Sequence, residues 1–237
     1  YALTDFDALI GFRVPRKARR LLEGLDGELA ELLRRRLNLS TVRGGLRSLA
    51  SWVFDIDSPV TPPLVEEFVA ACRSRLEAGE SPSLRADQLV CELEAAHGGD
   101  AGIILAFLMN PVSLRAGEAA YIPPRQIHAY QRGLGVEVMA ASDNVIRAGL
   151  THKHVDSAQL VEIAEFSALP PIRLAPEHPS PHSDRFLAPA QEFELTVTTC
   201  TPDLTALRVP GEGPRIALVT RGRLSLSTEA GECTLGQ

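Results

Sequence analysis

The sequence lacks a long apolar run, a basic surface and closely paired cysteines, and each absence excludes a class of protein. No apolar run approaches the roughly 18 residues that a membrane span requires, so we expect no membrane partner. The net charge of −6 and the pI near 5.6 argue against nucleic acid as the main partner, since phosphate binding favours a basic surface. What remains is a chain with 45% hydrophobic residues, enough for one large or two modest cores.

The cysteines are too far apart to form a C-x-x-C redox pair or a cysteine zinc site; they are Cys72, Cys91, Cys200 and Cys233. Cys72 and Cys91 have apolar neighbours and are interpreted as buried thiols. This usage is typical of a reducing compartment, and the acidic segment 1–7 does not resemble a signal peptide, so we expect a cytoplasmic location. The sequence has no initiator methionine, and its last residues stop within a strand-like pattern rather than in a tail. We therefore expect it to be a piece of a longer protein.

Residues 1–98 have the hydrophobic spacing of helices and are predicted to form a helical domain. Leucines recur every three or four residues over Leu21–Leu33, which places them on one helix face. The Thr-Pro-Pro sequence at 61–63 begins another helix, and Gly79 ends it. Leu46–Val53 and Ser83–His97 predict two more.

From Gly99 onward, short strand-like runs alternate with glycine and proline turns. The runs are 103–109, 112–114, 119–122, 128–130 and 136–140. The most apolar of them, Ile103–Met109, is interpreted as a buried strand. Closely spaced short strands predict an antiparallel sandwich or barrel over residues 99–168. Residues 169–190 read as a proline-rich connector and 191–237 as the start of a second, smaller β domain, so the predicted fold class is α+β.

The side chains best suited to chemistry lie in the stretch that ends at Lys153. If residues 131–135 form a hairpin loop, strand alternation lets His128 and Glu137 point from adjacent strands into one cavity. A glutamate between valines is costly to bury without a partner; Arg147, Lys153 or a metal ion are candidate partners. The competing interpretations are a core histidine bonded to a carbonyl and an exposed strand glutamate.

A set of short segments around this stretch forms a specific pattern. They are Gly99–Gly102, Asn110–Leu114, Ala116–Ala119, Ile122-Pro123, His128–Tyr130, Val136–Ala140 and Ser142–Thr151. The last reads S-D-N-V-I-R-A-G-L-T, which is long and specific. Together they resemble the type I phosphomannose isomerases, zinc-dependent enzymes of the cupin superfamily. Segments 2–6 and 11–13 resemble the start of that family's helical region, so the resemblance extends along the whole chain.

The resemblance implies a cupin-type antiparallel sandwich, or jelly roll, after the helical segment, followed by an incomplete second jelly roll. It implies an aldose–ketose isomerase that interconverts mannose 6-phosphate and fructose 6-phosphate through an enediol, with one bound zinc ion. Such an enzyme supplies precursors of nucleotide-linked mannose. Its partner is a small sugar phosphate, and we expect a monomer.

The resemblance also implies residue roles. His128 matches a zinc ligand, and Tyr130 matches a pocket residue near the metal. Arg147 and Glu137 match catalytic residues, with Glu137 a candidate for proton transfer. Lys153 matches a pocket lysine and is a candidate for the substrate phosphate.

Departures from the family pattern leave alternatives open. The family's first zinc ligands, in Q-x-H and N-H-K-P-E segments, are expected upstream of residue 1. His152 and Ile127 stand where the family usually has proline, which favours, as an alternative, a cupin-type sugar-phosphate binding or regulatory protein without catalysis. His152 and His154 form an H-x-H pair that could bind a metal, whereas an oxygen-using metal enzyme would need more well-placed histidines than His128.

Overall fold

The computed structural model describes residues 1–38, 44–55, 57–142, 145–204, 206–211, 213–228 and 231–236. The helices are α1 (Pro15–Leu21), α2 (Glu28–Asn38), α3 (Gly44–Phe54), α4 (Pro62–Glu77), α5 (Leu84–His97), α6 (Gly102–Leu108) and α7 (Ser157–Ile163). The strands are β1 (Phe6–Phe12), β2 (Met109–Leu114), β3 (Ala119–Tyr121), β4 (His128–Arg132), β5 (Ile172–Leu174), β6 (Glu177–Ser180), β7 (Ser183–Phe186), β8 (Leu195–Thr198), β9 (Arg223–Thr228) and β10 (Gly231–Gly236). Helices and antiparallel strand pairs occur together, so the α+β prediction is confirmed at this level.

The helix signals of the first hundred residues are confirmed. α4 begins at Pro62, since proline at the first helical position lacks only an N–H that has no partner within the helix. α5 begins after Ser83, whose hydroxyl accepts a hydrogen bond from the Ala86 amide at 3.4 Å, and it ends before Gly98. The leucines over residues 21–33 do not lie on one helix face as expected, because the chain turns between α1 and α2, yet most of them are buried in one core.

The prediction of a buried strand at Ile103–Met109 is wrong. Gly102–Leu108 is helix α6, and every one of its residues is buried. A helix that is apolar on all sides has no amphipathic period, so a short run of this kind cannot be told from a buried strand by pattern. The helix leads directly into β2 at Met109, which is why the strand signal extended over the whole run.

The first strand lies where we expected only helices. β1 is the middle strand of a three-stranded sheet with the order β2-β1-β4, and both of its pairings are antiparallel. Gly11 has φ +59° at an irregularity in the β1–β2 register, a conformation that suits glycine. Across the irregularity, the Asn110 side-chain amide donates to the carbonyls of Ile10 and Phe12.

The proline-rich stretch is extended, as expected, but it also forms strands. β5 pairs antiparallel with β3, and β6 and β7 lie in a three-stranded sheet with β8. Proline is tolerated in such strands where its missing N–H is not required by a neighbour. Further along, β9 and β10 form an antiparallel pair, whereas Ile216 and Leu218, which precede them, are exposed.

The chain divides into two compact units, residues 1–177 with 186–195, and residues 178–185 with 196–237. The predicted domain boundaries at residues 98, 168 and 190 stay predictions. No helix formed by the described residues is long and apolar enough to cross a membrane.

Candidate active site

Strand β4 presents His128 and Tyr130 on one face, because side chains two residues apart share a face of a strand. β4 is the last strand in the order β2-β1-β4, and both side chains are exposed. The two rings lie 5.6 Å apart between centroids. The imidazole Nδ1 of His128 is 2.9 Å from the carbonyl oxygen of Gln126, so Nδ1 carries the hydrogen and donates it. The other ring nitrogen, Nε2, is left with a lone pair for a ligand.

Tyr130 connects this face to Glu137. Its hydroxyl donates to Oε1 of Glu137 at 2.5 Å, and its ring packs edge-on against Phe6 with centroids 5.5 Å apart. Partial burial, the hydrogen bond and the nearby carboxylate all raise the pKa of Tyr130. The phenol therefore stays protonated across the physiological range, and it acts as a donor that holds one carboxylate oxygen of Glu137.

The hairpin that was expected to bring His128 and Glu137 together does not form. β4 pairs with β1, and residues 136–140 are not a strand. Val136 instead donates its amide to the carbonyl of Tyr1 at 2.8 Å, so the chain runs beside the segment that precedes β1. Gly133 makes this path possible: it has φ +107°, and a Cβ there would lie 2.8 Å from Cα of Phe6. Glu137 is therefore joined to Tyr130 of β4, and no hydrogen bond among the described residues joins it to His128.

Arg147 and Lys153 lie in the loop before α7. Arg147 is half-buried, and its neighbours Ile146 and Ala148 pack against the main core. Lys153 is exposed, and its amide donates to Oγ1 of Thr151 at 3.2 Å. Among the described residues neither cation has a carboxylate partner within ion-pair distance, so both side chains keep their charge for a ligand.

The structure thus brings three of the five predicted site residues together. His128, Tyr130 and Glu137 form one cluster, which no hydrogen bond or ion pair joins to Arg147 or Lys153 in the part of the chain described. Sequence reasoning missed Tyr130 as the partner of Glu137, because a cation or a metal ion was expected beside that carboxylate. The roles assigned to all five residues stay predictions.

The described residues hold an incomplete donor set for a metal. His128 fits a zinc ligand, because ligand histidines usually donate their other ring nitrogen to a carbonyl or carboxylate. Zinc generally requires three or four protein ligands, however. Residues 1–38, 44–55, 57–142 and the described parts beyond contain no group of three His, Cys, Asp or Glu side chains that could hold a metal. The rings of His152 and His97 are 6.2 Å apart, and His154 is exposed without joining them in such a group.

Sequence reasoning also overlooked Asp100, which was interpreted as part of a turn into a strand. Its carboxylate accepts amide hydrogens from both Gly102 and Leu150. An aspartate just before a helix was the available signal, since such residues cap helix N-termini. That signal was missed because α6 was taken for a strand.

Comparison with proteins of known function reveals extensive similarity. A scan against models of protein families gives no match. Mannose-6-phosphate isomerase 1 of Arabidopsis thaliana is 30% identical over 239 residues, which cover 97% of this chain and 55% of that protein. Mannose-6-phosphate isomerase of Bos taurus is 28% identical over 261 residues, 99% of this chain and 59% of that protein. The chain therefore spans about half the length of these curated relatives.

Solved structures of a mannose 6-phosphate isomerase are similar to this chain in fold. The apo form of mannose 6-phosphate isomerase from Salmonella typhimurium superposes with a TM-score of 0.77 at 25% identity, covering 100% of this chain and 58% of that one. The form of the same enzyme bound to its substrate F6P and zinc gives a TM-score of 0.75 at 24% identity, with the same coverage.

Proposed function

The chain is a homologue of the mannose-6-phosphate isomerases, and on that premise we propose that the protein which carries it interconverts mannose 6-phosphate and fructose 6-phosphate. The resemblance predicted from the sequence is confirmed; the activity is our proposal. The observation that carries it is the cluster in which Tyr130 contacts both the ring of His128, on the same face of β4, and the carboxylate of Glu137. We further propose that the strands of residues 99–168 belong to a cupin-type jelly roll and that residues 191–237 begin a second one.

The reaction requires a base that takes a proton from one sugar carbon and returns it to the adjacent carbon. Glu137 suits this task, since its side chain is exposed and Tyr130 holds one of its two oxygens. Proton transfer depends on a fixed base, and the bond from Tyr130 restricts the rotation of the carboxylate.

The enediol intermediate develops negative charge on oxygen and requires a cation or a hydrogen-bond donor nearby. Arg147 suits this role, because its guanidinium is always charged and donates in a fixed planar geometry. Lys153, a compact charge on a flexible stem, is assigned to the substrate phosphate. The half-buried position of Arg147 and the exposed position of Lys153 fit a cation beside the reacting carbons and another toward the entrance.

A zinc ion bound in part through Nε2 of His128 would supply Lewis acidity to the sugar oxygens. The remaining ligands are predicted to come from outside the residues of this chain. A monomeric state and a cytoplasmic location also stay predictions.

The test is an isomerase assay on the natural protein, with Arg147→Ala compared with Arg16→Ala, which removes an exposed arginine from α1. Removing one charge-stabilising donor from an active site typically costs about 10²–10³-fold in turnover. We expect a loss of that order for Arg147→Ala and near-normal turnover for Arg16→Ala. Tight binding of fructose 6-phosphate without turnover by the unaltered protein would refute the isomerase and support the binding-protein alternative.

A further inference from the structure

The carboxylate of Asp100 joins the segment that carries Arg147 to the first turn of α6. Oδ1 accepts the amide hydrogen of Gly102 at 2.7 Å, and Oδ2 accepts that of Leu150 at 2.9 Å. Both oxygens are thus used by backbone groups that lie far apart in sequence. A carboxylate that accepts from backbone amides makes stronger hydrogen bonds than a neutral acceptor does.

The α6 end of this connection is fixed in the core. All residues of α6 are buried, and its side chains belong to the main hydrophobic cluster. Phe107 of α6 packs edge-on against Phe68 of α4, with ring centroids 5.2 Å apart. Close packing of this kind leaves a helix little freedom to shift, so Asp100 holds the loop to an immobile point.

The loop end is shaped to reach that point. Gly149 has φ +114°, and a Cβ there would lie 3.0 Å from Oδ1 of Asp100 and 3.3 Å from Cα of Gly102. Leu150 also has a positive φ, +54°, which is uncommon for a residue with a side chain. The two backbones therefore approach at a pair of glycines, and the loop takes left-handed conformations that bring the Leu150 amide to the carboxylate.

We propose that Asp100 is a positioning residue that acts through Arg147, a role that rests on the proposed function of that arginine. Arg147 lies three residues before Leu150, and three residues span at most about 10 Å. The bond to Leu150 therefore limits where the guanidinium can be placed relative to His128 of β4 and to Glu137. Lys153 also lies three residues from Leu150, but its amide is held by its own hydrogen bond to Thr151. We therefore assign the effect of Asp100 to Arg147.

The anchor itself is tested without substrate, by amide hydrogen exchange of the natural protein. Asp100→Ala should speed exchange at Leu150 by about 10-fold or more, because the amide loses a charged acceptor. Asp55→Ala is the matched control: Asp55 accepts the Asp57 amide at 2.9 Å at an exposed site on another part of the chain. Unchanged exchange at Leu150 in Asp100→Ala, in a protein that still folds, would overturn the anchor. Asp100→Asn, which keeps one carbonyl oxygen, serves as the milder variant if the alanine variant fails to fold.

The positioning role is tested by a double-mutant cycle on kcat/KM. Asp100→Ala alone should lower kcat/KM by about 10- to 100-fold, the range expected when one charge-assisted hydrogen bond is lost. In an Arg147→Ala background the same change should cost no more than about threefold, because the group it positions is gone. Equal losses in both backgrounds would show a general structural role and overturn the proposal. An unaltered protein without isomerase activity would overturn the proposed function instead, while the exchange experiment would still decide whether Asp100 anchors Leu150.

Discussion

Breaking the buried ion pair between Arg75 and Asp87 should destabilise the helical core more than any surface change. Arg75 donates to both carboxylate oxygens, at 2.6 and 2.5 Å, and the two side chains are 5% and 0% exposed. The pair joins α4 to α5, and Arg75 also donates to the carbonyl of Glu23 beyond α1 at 3.1 Å. Ser81 donates to the same carboxylate at 2.6 Å.

Asp87→Ala leaves a buried guanidinium with only the Glu23 carbonyl and deprives Ser81 of its acceptor. Removing one partner of a buried pair typically costs about 3–5 kcal/mol, a large part of the roughly 5–15 kcal/mol that stabilises a domain. Alanine is a good helix former, so helix propensity adds nothing to this cost. The assay is denaturant unfolding followed by circular dichroism.

The control removes an exposed pair of the same chemistry. Glu31→Ala deletes the 47% exposed partner of both Arg35 and Arg34 in α2, which are 70% and 33% exposed, and it should leave the unfolding midpoint nearly unchanged. The double variant Arg75→Met with Asp87→Leu should be more stable than Asp87→Ala, because no charge is left buried. If Asp87→Ala cost less than about 1 kcal/mol, or the double variant were the least stable, this reasoning would be refuted.

Three further predictions concern the sheet and the site. Tyr130→Phe removes the donor to Glu137, so we expect kcat to fall by about 10-fold or more with little change in fold; unchanged kinetics would contradict the role of the Tyr130 hydroxyl. The hydrogen bond from Ser113, together with Arg132 and Arg85, lowers the pKa of Asp7 in the folded protein below its usual 3.8. The ionised Asp7 therefore contributes its full stabilisation above pH 3.8, and the protein loses that contribution as the pH falls through the lowered pKa of the folded state. Asp7→Asn should therefore lower the unfolding midpoint at neutral pH and flatten its decrease below about pH 4, and an acid profile parallel to that of the unaltered protein would contradict the assignment. Gly11→Ala places a side chain at φ +59° and should cost about 1–2 kcal/mol in denaturant unfolding, whereas no measurable loss would show that the β1 irregularity relaxes freely.

Local signals predicted the helices well and the strands less well. Thr61 with two following prolines, and Ser83 before an apolar stripe, are signals that depend only on neighbouring residues, and α4 and α5 begin where they indicate. β1 is different, because its partners β2 and β4 lie about a hundred residues or more away, and nothing in the residues near Phe6 records that pairing. The apolar run of α6 carried no period that could separate helix from strand.

The candidate site shows the same division. Residues 128–130 were expected to form a strand, and the structure agrees, so His128 and Tyr130 share one face of β4. A hairpin was expected to bring Glu137 toward His128, whereas the observed bond from Tyr130 to Glu137 depends on the path of the chain beside Tyr1, which long-range packing decides. Asp100 could not be recognised before α6 was known to be a helix. Residue chemistry was therefore more predictable than the backbone that presents it.

The most direct test of the central claim is a crystal structure of the natural protein with fructose 6-phosphate and zinc. We predict that the imidazole of His128 contacts the metal and that Glu137 and Arg147 both reach the first two carbons of the same sugar, with Lys153 at its phosphate. A sugar phosphate bound elsewhere, or one that contacts the His128 cluster while Arg147 points into a different cavity, would contradict it.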